Sequence, residues 1–405
     1  MLKTVLILFL SYTTVGLCNN GFFSILPFLS EEFAISRVQI GYYSAFYFTS
    51  AALLALFSGN IVDRFGPKRS ILWGMGCMGL TLFCYGWSTS YQLILFLAIF
   101  AGLGMSILTP SVVKGTSIIA PPEKQALFLG LVQAGYSVGS IIAPAILPVL
   151  ALNFSWQISI QITAILTLLI GLLTYIFYQE QKVKLNKNNI SETTGTLEQV
   201  KQINNGLSFK ESFLSIFINK RLFFICILGI AFGIAEGSTC SHFTIFLTRD
   251  IGLNKIVTGL GFAILFIGGV AGMAGLGWIS DSFFKKNRQS FLFLMGLFAG
   301  TIFLIFSIFF YNLQVHPFFI IINTFFLGSV SIGWPGAYFA LVGELAGEKQ
   351  AGMATGLSLF FIRTGLLLAP IGFGFIADLN ASYQYSWFFF GILIILISSL
   401  FLYRK

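Results

Sequence analysis

The chain has 405 residues, of which 57% are hydrophobic, 17% are aromatic and only 9% are charged. In soluble globular proteins about a quarter of all residues are charged, so this composition excludes that class of protein. In a soluble protein the net charge of +9 would suggest binding to nucleic acid, but here its distribution bears on orientation in a membrane. We therefore expect a lipid bilayer around the protein and no nucleic-acid partner.

Long apolar segments follow one another along the whole chain. Runs of about 20 apolar residues, enough to cross a hydrocarbon core about 30 Å thick, occur twelve times. Their approximate bounds are 4–29, 38–62, 70–88, 91–119, 125–150, 155–178, 221–247, 256–280, 289–311, 317–345, 350–377 and 383–403. The pattern predicts an all-α membrane protein with 12 transmembrane helices, and the even number places both termini on the same side.

Basic residues gather at one end of these predicted helices. This end holds Lys3, Arg64, Lys68, Arg69, Lys124, the basic residues of 182–221, Lys285, Lys286, Arg288, Lys349, Arg404 and Lys405. The other end holds only Arg37, Arg249 and Lys255. Because cytoplasmic loops of membrane proteins are enriched in Lys and Arg, we expect both termini and the middle loop to be cytoplasmic. We expect a multi-pass protein of the bacterial inner membrane.

The second half of the chain repeats residues of the first half at matching spacing. Gly41, Gly59 and Asp63 recur as Gly259, Gly277 and Asp281, at a constant offset of 218 residues. The dipeptide Ala143-Pro144 recurs as Ala369-Pro370 with a slightly larger offset. Rows of small residues such as Gly135-x-x-x-Gly139 predict close contacts between helices in lipid. The repeat predicts a six-helix unit that is used twice.

The repeat divides the chain into three predicted parts. Residues 1–178 form a first six-helix bundle and residues 221–405 a second. Between them, residues 179–220 begin with a polar stretch without aromatics, which predicts a flexible cytoplasmic linker. Residues 207–218 space their apolar side chains at three and four, as expected of an interfacial helix.

The most specific motif is GNIVDRFGPKR at 59–69, a charged turn between the second and third predicted helices. It resembles the G-x-x-x-D-R-x-G-(x)-K-R loop of major facilitator superfamily transporters. The resemblance covers essentially the whole chain, and it implies two pseudo-symmetric bundles that move a small solute by alternating access. It also implies a gating latch made by Gly59, Asp63, Arg64 and Arg69, with Asp63 facing the start of helix 11 and a weaker copy at Asp281.

Two further segments carry the resemblance, and one position departs from it. PPEKQALFLG at 121–130 resembles the family's loop between helices 4 and 5, and the pattern from Gly135 to Pro144 resembles its fifth helix. Many members have an Arg four residues before the G-x-G of helix 4. This chain has Ala98 there, so the proton relay attributed to that Arg is not implied.

Three ionisable residues lie within predicted helices, well away from the loops: Lys114, Glu236 and Arg363. Each costs about 2.5–3.5 kcal/mol near a helix centre on insertion scales. Their repeat counterparts are the neutral residues Phe339, Cys18 and Ser137. An architectural role would place charges in both halves, so the asymmetry favours a role in handling a solute or an ion.

These charges and their polar neighbours define the predicted site. Glu236 is the candidate proton carrier, and Lys114 and Arg363 are the candidates to bind an anionic group. In this superfamily helices 1, 4, 7 and 10 line the cavity, which adds Asn19, Asn20 and Trp334 as candidate substrate-binding residues. The alternatives are a structural Glu236–Arg363 ion pair, a Lys114 side chain that reaches the cytoplasmic surface, and a simple kink at Trp334-Pro335. Solvated roles are expected for His242 and His316.

Two cations against one carboxylate leave a surplus of positive charge, which favours an organic anion as the solute. The favoured function is uptake by proton symport, and the alternative is efflux of a drug or metabolite by proton antiport. A non-transporting membrane sensor is the alternative of another class. The sequence shows no catalytic or metal-ligand set, so we expect no enzyme, no cofactor and no metal. We expect a monomer with small-molecule solute and protons as partners.

Overall fold

A computed structural model describes residues 2–121, 124–178, 220–284, 287–312 and 317–400. These residues form eleven α-helices and no strand. The helices are α1 (Leu2–Glu32), α2 (Arg37–Tyr85), α3 (Tyr91–Ile119), α4 (Gln125–Asn153), α5 (Trp156–Phe177), α6 (Lys220–Ile245), α7 (Lys255–Phe283), α8 (Arg288–Asn312), α9 (Pro317–Ser331), α10 (Pro335–Leu379) and α11 (Gln384–Ser399). A π-helical turn, Phe246–Asp250, extends α6.

Two of these helices each contain a chain reversal. In α2 the backbone leaves helical geometry at Gly66, where φ is 79° and ψ is 159°, and a positive φ of this kind favours glycine. The hydroxyls of Tyr43 and Tyr85 lie 3.5 Å apart, so the two arms of α2 run antiparallel. In α10, Tyr338 and Ser358 both bond to residues 225–226 of α6, so the chain also reverses between them.

The twelve predicted spans are therefore present in the described residues. Nine helical segments are each long and apolar enough to cross a membrane. The two arms of α2 and the shorter apolar helix α11 complete the all-α, twelve-helix fold. The tenth predicted span is divided between α9 and the start of α10, and the interruption lies at residues 332–334.

Helices pack mainly within each half of the chain. In the first half, α2 packs against α3 and α5, and α1 packs against α4. In the second half, α6 packs against α10, α7 against α9 and α8 against α11. Gly135 and Gly139 of α4 contact the backbone of α1 at Phe9 and Thr13, as the small-residue row predicted. The predicted linker and interfacial helix lie outside the described residues, apart from Lys220, which begins α6.

The molecule has two ends that differ in how the halves meet. We call the end that carries residues 59–69 and Arg288 the basic face, and the end that carries residues 30–38 and 378–383 the opposite face. Contacts between the halves join α2 to α10 and α4 to α7. The hydrogen bonds between halves that involve described residues cluster toward the opposite face.

At the opposite face two helix crossings close the molecule. A Cβ placed on Gly41 of α2 would lie 2.6 Å from the carbonyl carbon and oxygen of Pro370 in α10. Gly259 of α7 makes the corresponding close approach to Pro144 of α4. The two glycines are repeat partners, and so are the two prolines. The closure is therefore built from two copies of one contact.

At the basic face the corresponding positions are open. A Cβ on Gly59 or on Gly277, the next pair of repeat-matched glycines, would meet no atom within 4 Å. The same is true of Gly130 and Gly356. The described residues thus show halves that are joined at the opposite face and separated at the basic face.

Candidate solute-binding chamber

A cavity of ≈ 200 Å³ lies between the two halves, close to the middles of α1 and α6. Its walls come from both halves: α1, α2, α3 and α4 on one side, and α6, α7, α10 and the interruption between α9 and α10 on the other. Most of the lining is apolar, and its main polar members are Asn19, Asn20, Tyr136, Ser140, Glu236 and Cys240. We call this cavity the chamber.

On the first-half wall, two neighbouring amides of α1 converge on one tyrosine of α4. The Asn19 Nδ2 donates to the Tyr136 hydroxyl at 2.8 Å, and the Asn20 Nδ2 lies 3.4 Å from the same oxygen. Asn20 also donates to the Ser140 hydroxyl at 2.8 Å. Asn19 is only 6% exposed, and among the described residues its Oδ1 has no hydrogen-bond partner. The wall thus holds a buried acceptor that a bound molecule can use.

On the second-half wall, Glu236 of α6 meets the interrupted helix. Its carboxylate accepts a hydrogen bond of 3.3 Å from the indole nitrogen of Trp334. Trp334 is 4% exposed and stacks on Phe232, with the ring centroids 5.6 Å apart. Within the described part of the chain, no Lys, Arg or His lies within salt-bridge distance of this carboxylate. Glu236 is therefore a half-buried acid that bonds to a neutral indole.

The predicted ion pair between Glu236 and Arg363 is absent from the described residues, and Arg363 does not line the chamber. Helix α10 turns Ile362 and Leu366 toward α6, where they contact Gly233 and Gly237. Successive residues of a helix are rotated by about 100°. Arg363 therefore points away from α6, and its side chain is exposed.

Lys114 also lies outside the chamber lining. Its Nζ is 2.6 Å from the Oδ1 of Asp63 and 3.3 Å from the carbonyl oxygen of Val62, both in α2 at the basic face. A long aliphatic side chain allows its charged end to reach a polar surface. The structure thus supports the alternative in which Lys114 extends to the surface. Of the predicted site residues, Asn19, Asn20 and Glu236 line the chamber, and Trp334 bonds to Glu236 without lining it.

The fold, the repeated helix crossings and the chamber at mid-depth agree with the sequence motif at 59–69. Residues 8–337 match the family model of the Major Facilitator Superfamily. The chain belongs to this superfamily. Its relatives include transporters of hexuronate and glycerol-3-phosphate and multidrug resistance proteins, together with one membrane sensor protein. The family match and the transporter relatives make the protein a multi-pass membrane transporter.

Three similar proteins illustrate the range of the superfamily. The hexuronate transporter of Bacillus subtilis is 22% identical over 95% of this chain and 89% of its own length. Multidrug resistance protein 1 of the same organism is 25% identical over 93% of this chain and 90% of its own length. Among solved structures, the D-xylose-proton symporter shares the fold with a TM-score of 0.78 and 14% identity, over 99% of this chain and 96% of that chain.

The residues for which a gating latch was predicted lie at the basic face. Asp63 has a side chain that is 72% exposed and is paired with Lys114 of its own half, so it does not cap the start of the second arm of α10. Arg64 and Arg69 are exposed. In the second copy, Asp281 is 2.5 Å from Arg288, which also bonds to Glu344 at 2.9 Å. Both latch acids are thus paired within their own halves.

Sequence reasoning missed a polar cluster that holds the opposite face together. The Asp378 carboxylate accepts the backbone N–H groups of Arg37 and Val38, at 2.8 and 2.9 Å, and so caps the first turn of α2 from the other half. The Arg37 guanidinium donates to Asp250 at 3.3 Å and to the carbonyl oxygen of Ala381 at 2.9 Å. The Arg and the acids are visible in the sequence, but their meeting depends on how distant helices end.

Two cations complete this cluster, and one histidine lies beneath it. Lys255 of α7 is 2.5 Å from Glu31 at the end of α1, and Arg249 donates to the carbonyl oxygen of Ser30 at 3.1 Å. His242 is fully buried, so the expected solvated role was wrong. Its Nε2 lies 2.7 Å from the carbonyl oxygen of Pro370, and its Nδ1 lies 3.0 Å from the Tyr383 hydroxyl. His316 lies outside the described residues.

Proposed function

We propose that this protein is a proton-coupled secondary transporter that moves a small organic solute through the chamber by alternating access. One observation carries the proposal: the chamber contains a lone carboxylate and lies between halves that are closed at the opposite face and separated at the basic face. A central site between two repeat-related bundles is the arrangement on which alternating access depends.

The charge distribution supports an orientation for this state. The basic face carries most of the Lys and Arg residues, which by the positive-inside rule makes it cytoplasmic and places both termini in the cytoplasm. The structure then corresponds to an inward-facing state, with the latch released. The bundles 1–178 and 221–405 rock around the chamber, and the bacterial relatives support an inner-membrane location. One chain supplies both walls, so a monomer is sufficient.

Glu236 is the proposed proton site. An ionised carboxylate without a cationic partner is costly in an apolar environment, and a bound proton removes its charge. Neutralising Glu236 therefore changes the relative free energies of the two conformations, which differ in how water reaches the chamber. That difference is what couples a proton gradient to solute movement.

The class of solute and the direction of transport follow from the chamber and the relatives. Uptake of an organic anion by proton symport is supported by the likeness to the hexuronate transporter, but Lys114 and Arg363, which suggested an anion, do not line the chamber. Exchange of a proton for a drug or metabolite is supported by the likeness to multidrug resistance protein 1. The lone carboxylate favours exchange, because a proton and a cationic solute compete for it.

The test of proton coupling needs no solute. Spin labels at Gly130 and Gly356, introduced as cysteines after the five native cysteines are replaced, report the separation of the halves across the basic face. We expect the distance distribution to differ between about pH 5 and about pH 8, a range in which carboxyl groups at buried positions of proteins can titrate. In Glu236→Gln we expect no pH response, whereas the control Glu344→Gln should respond like the parent. A full response in Glu236→Gln would remove Glu236 as the proton site.

A further inference from the structure

The charge of the chamber lining points to the class of solute. Among the described lining residues, Glu236 is the only acid, and no Lys, Arg or His is present. The nearest predicted cations are used elsewhere: Lys114 is paired with Asp63, and Arg363 lies on a different side of α10. A solute in the chamber therefore meets a negative charge that no protein cation neutralises.

The free hydrogen-bonding groups of the two walls are complementary to a donor. Glu236 on one wall offers a carboxylate whose hydrogen bond from Trp334 is long at 3.3 Å. Asn19 on the other wall offers an Oδ1 that is buried and unpartnered among the described residues. Buried acceptors without a donor are unfavourable, so a protonated amine, which carries only donors, would satisfy both walls.

The remaining lining suits the apolar body of such a molecule. Phe23, Phe48 and Phe266 line the chamber together with Met105 and Met273. Aromatic faces attract organic cations, and methionine side chains adapt to irregular shapes. The volume of ≈ 200 Å³ is below the range of about 300–1,000 Å³ for sites of drug-sized ligands. The chamber thus fits a small molecule.

We propose that the solute is a small organic cation: an ammonium group beside Glu236 and the Asn19 amide, with an apolar or aromatic body against the phenylalanines and methionines. This inference rests on the proposed transport function and specifies its solute. An anion would meet Glu236 with no compensating cation among the described lining residues. Because cation and proton share one carboxylate, solute binding displaces the proton.

The test compares probes of similar size and opposite charge. Benzylammonium, a primary ammonium with three N–H donors, is the cationic probe, and phenylacetate and glucuronate are the anionic probes, each titrated calorimetrically into purified protein at about pH 8. The parent should bind the cation and neither anion. Glu236→Gln should bind the cation at least about tenfold more weakly, a factor equivalent to about 1.4 kcal/mol. The control Glu344→Gln should bind it like the parent.

Two results would overturn the inference. One is binding of an anion that is lost on Arg363→Ala or Lys114→Ala. The other is cation binding that is absent from the parent or undiminished in Glu236→Gln, with thermal unfolding confirming that each variant is folded. The two proposals fail separately. Loss of cation selectivity with an intact pH-dependent distance change refutes only the solute class, whereas cation binding without that pH response refutes only the proton coupling.

Discussion

Side-chain length separates Lys114 from Glu236, two of the three charges predicted within the membrane. Lys114 has four methylene groups and reaches Asp63 at the basic face, where a polar environment stabilises it. Glu236 has a short side chain near the middle of α6, so it cannot leave the membrane interior. The acid that has no route to either surface is the one left facing the cavity between the halves. The position of a residue within a predicted transmembrane helix therefore identifies a cavity-lining charge better for Glu than for the longer Lys and Arg.

Asp378 is the residue whose removal should most directly weaken the closed opposite face. Its carboxylate caps two backbone N–H groups at the start of α2, and loss of a helix cap costs about 0.5–2 kcal/mol. Asp378→Ala should therefore reduce the population in which the two halves are separated at the basic face. The measure is a shift of the Gly130–Gly356 label distance to shorter values. Glu32→Ala is the control, since this acid at the same face accepts hydrogen bonds from Trp156 and Gln157 of its own half. An unchanged or longer distance in Asp378→Ala would contradict the assigned role.

At the scale of whole helices, closure depends on backbone contacts that only glycine permits. The crossings at Gly41 and Gly259 are tight at the opposite face, while Gly59 and Gly277 have no neighbours at the basic face. These four positions are two repeat pairs. We infer that the second pair makes the close crossings when the basic face closes, so that each face has its own glycine contacts.

Matched substitutions at one glycine from each pair test this division of roles. Gly41→Val places a Cβ 2.6 Å from the backbone of Pro370, and overpacking of this kind costs about 1–3 kcal/mol. It should shift the basic-face label distance to shorter values. Gly59→Val meets open space in this state and should keep the distance long by hindering closure. A long distance in Gly41→Val together with a short one in Gly59→Val would refute the scheme.

The interruption between α9 and α10 places irregular backbone beside the chamber. Residues 332–334 break the tenth span beside the cavity, and Ile332 and Pro335 line it. Irregular backbone within a membrane is tolerated where it borders a cavity. The predicted kink at Trp334-Pro335 and the predicted contact role of Trp334 are thus compatible, because the broken helix turns the indole toward Glu236.

At the scale of the whole molecule, the sequence was most informative where a single physical requirement dominates. Apolar length alone predicted the twelve spans, because lipid requires helices with satisfied backbones. The repeat paired Gly41 with Gly259 and Pro144 with Pro370, but the crossings that these residues form are seen only in the structure. Depth placed Asn19, Asn20 and Glu236 near the middles of their helices. Arg363 lies at the depth of the chamber, but it is on a side of α10 that does not face the chamber. Which side of α10 faces α6 depends on the small residues Gly233 and Gly237, against which Ile362 and Leu366 pack. The Asp378 cap depends on where two distant helices end, which no local pattern encodes.

The central claim is that a proton and the solute use the same carboxylate in turn. Proton release on binding tests it most directly. Benzylammonium, which stays protonated in this range, is added to weakly buffered purified protein between about pH 5 and about pH 8, and the released protons are counted against the bound cation. If the two compete, the parent should release a number of protons per bound cation that rises toward about one as the pH is lowered. Glu236→Gln should release none. Cation binding without proton release across this range, or equal release from Glu236→Gln, would contradict the claim.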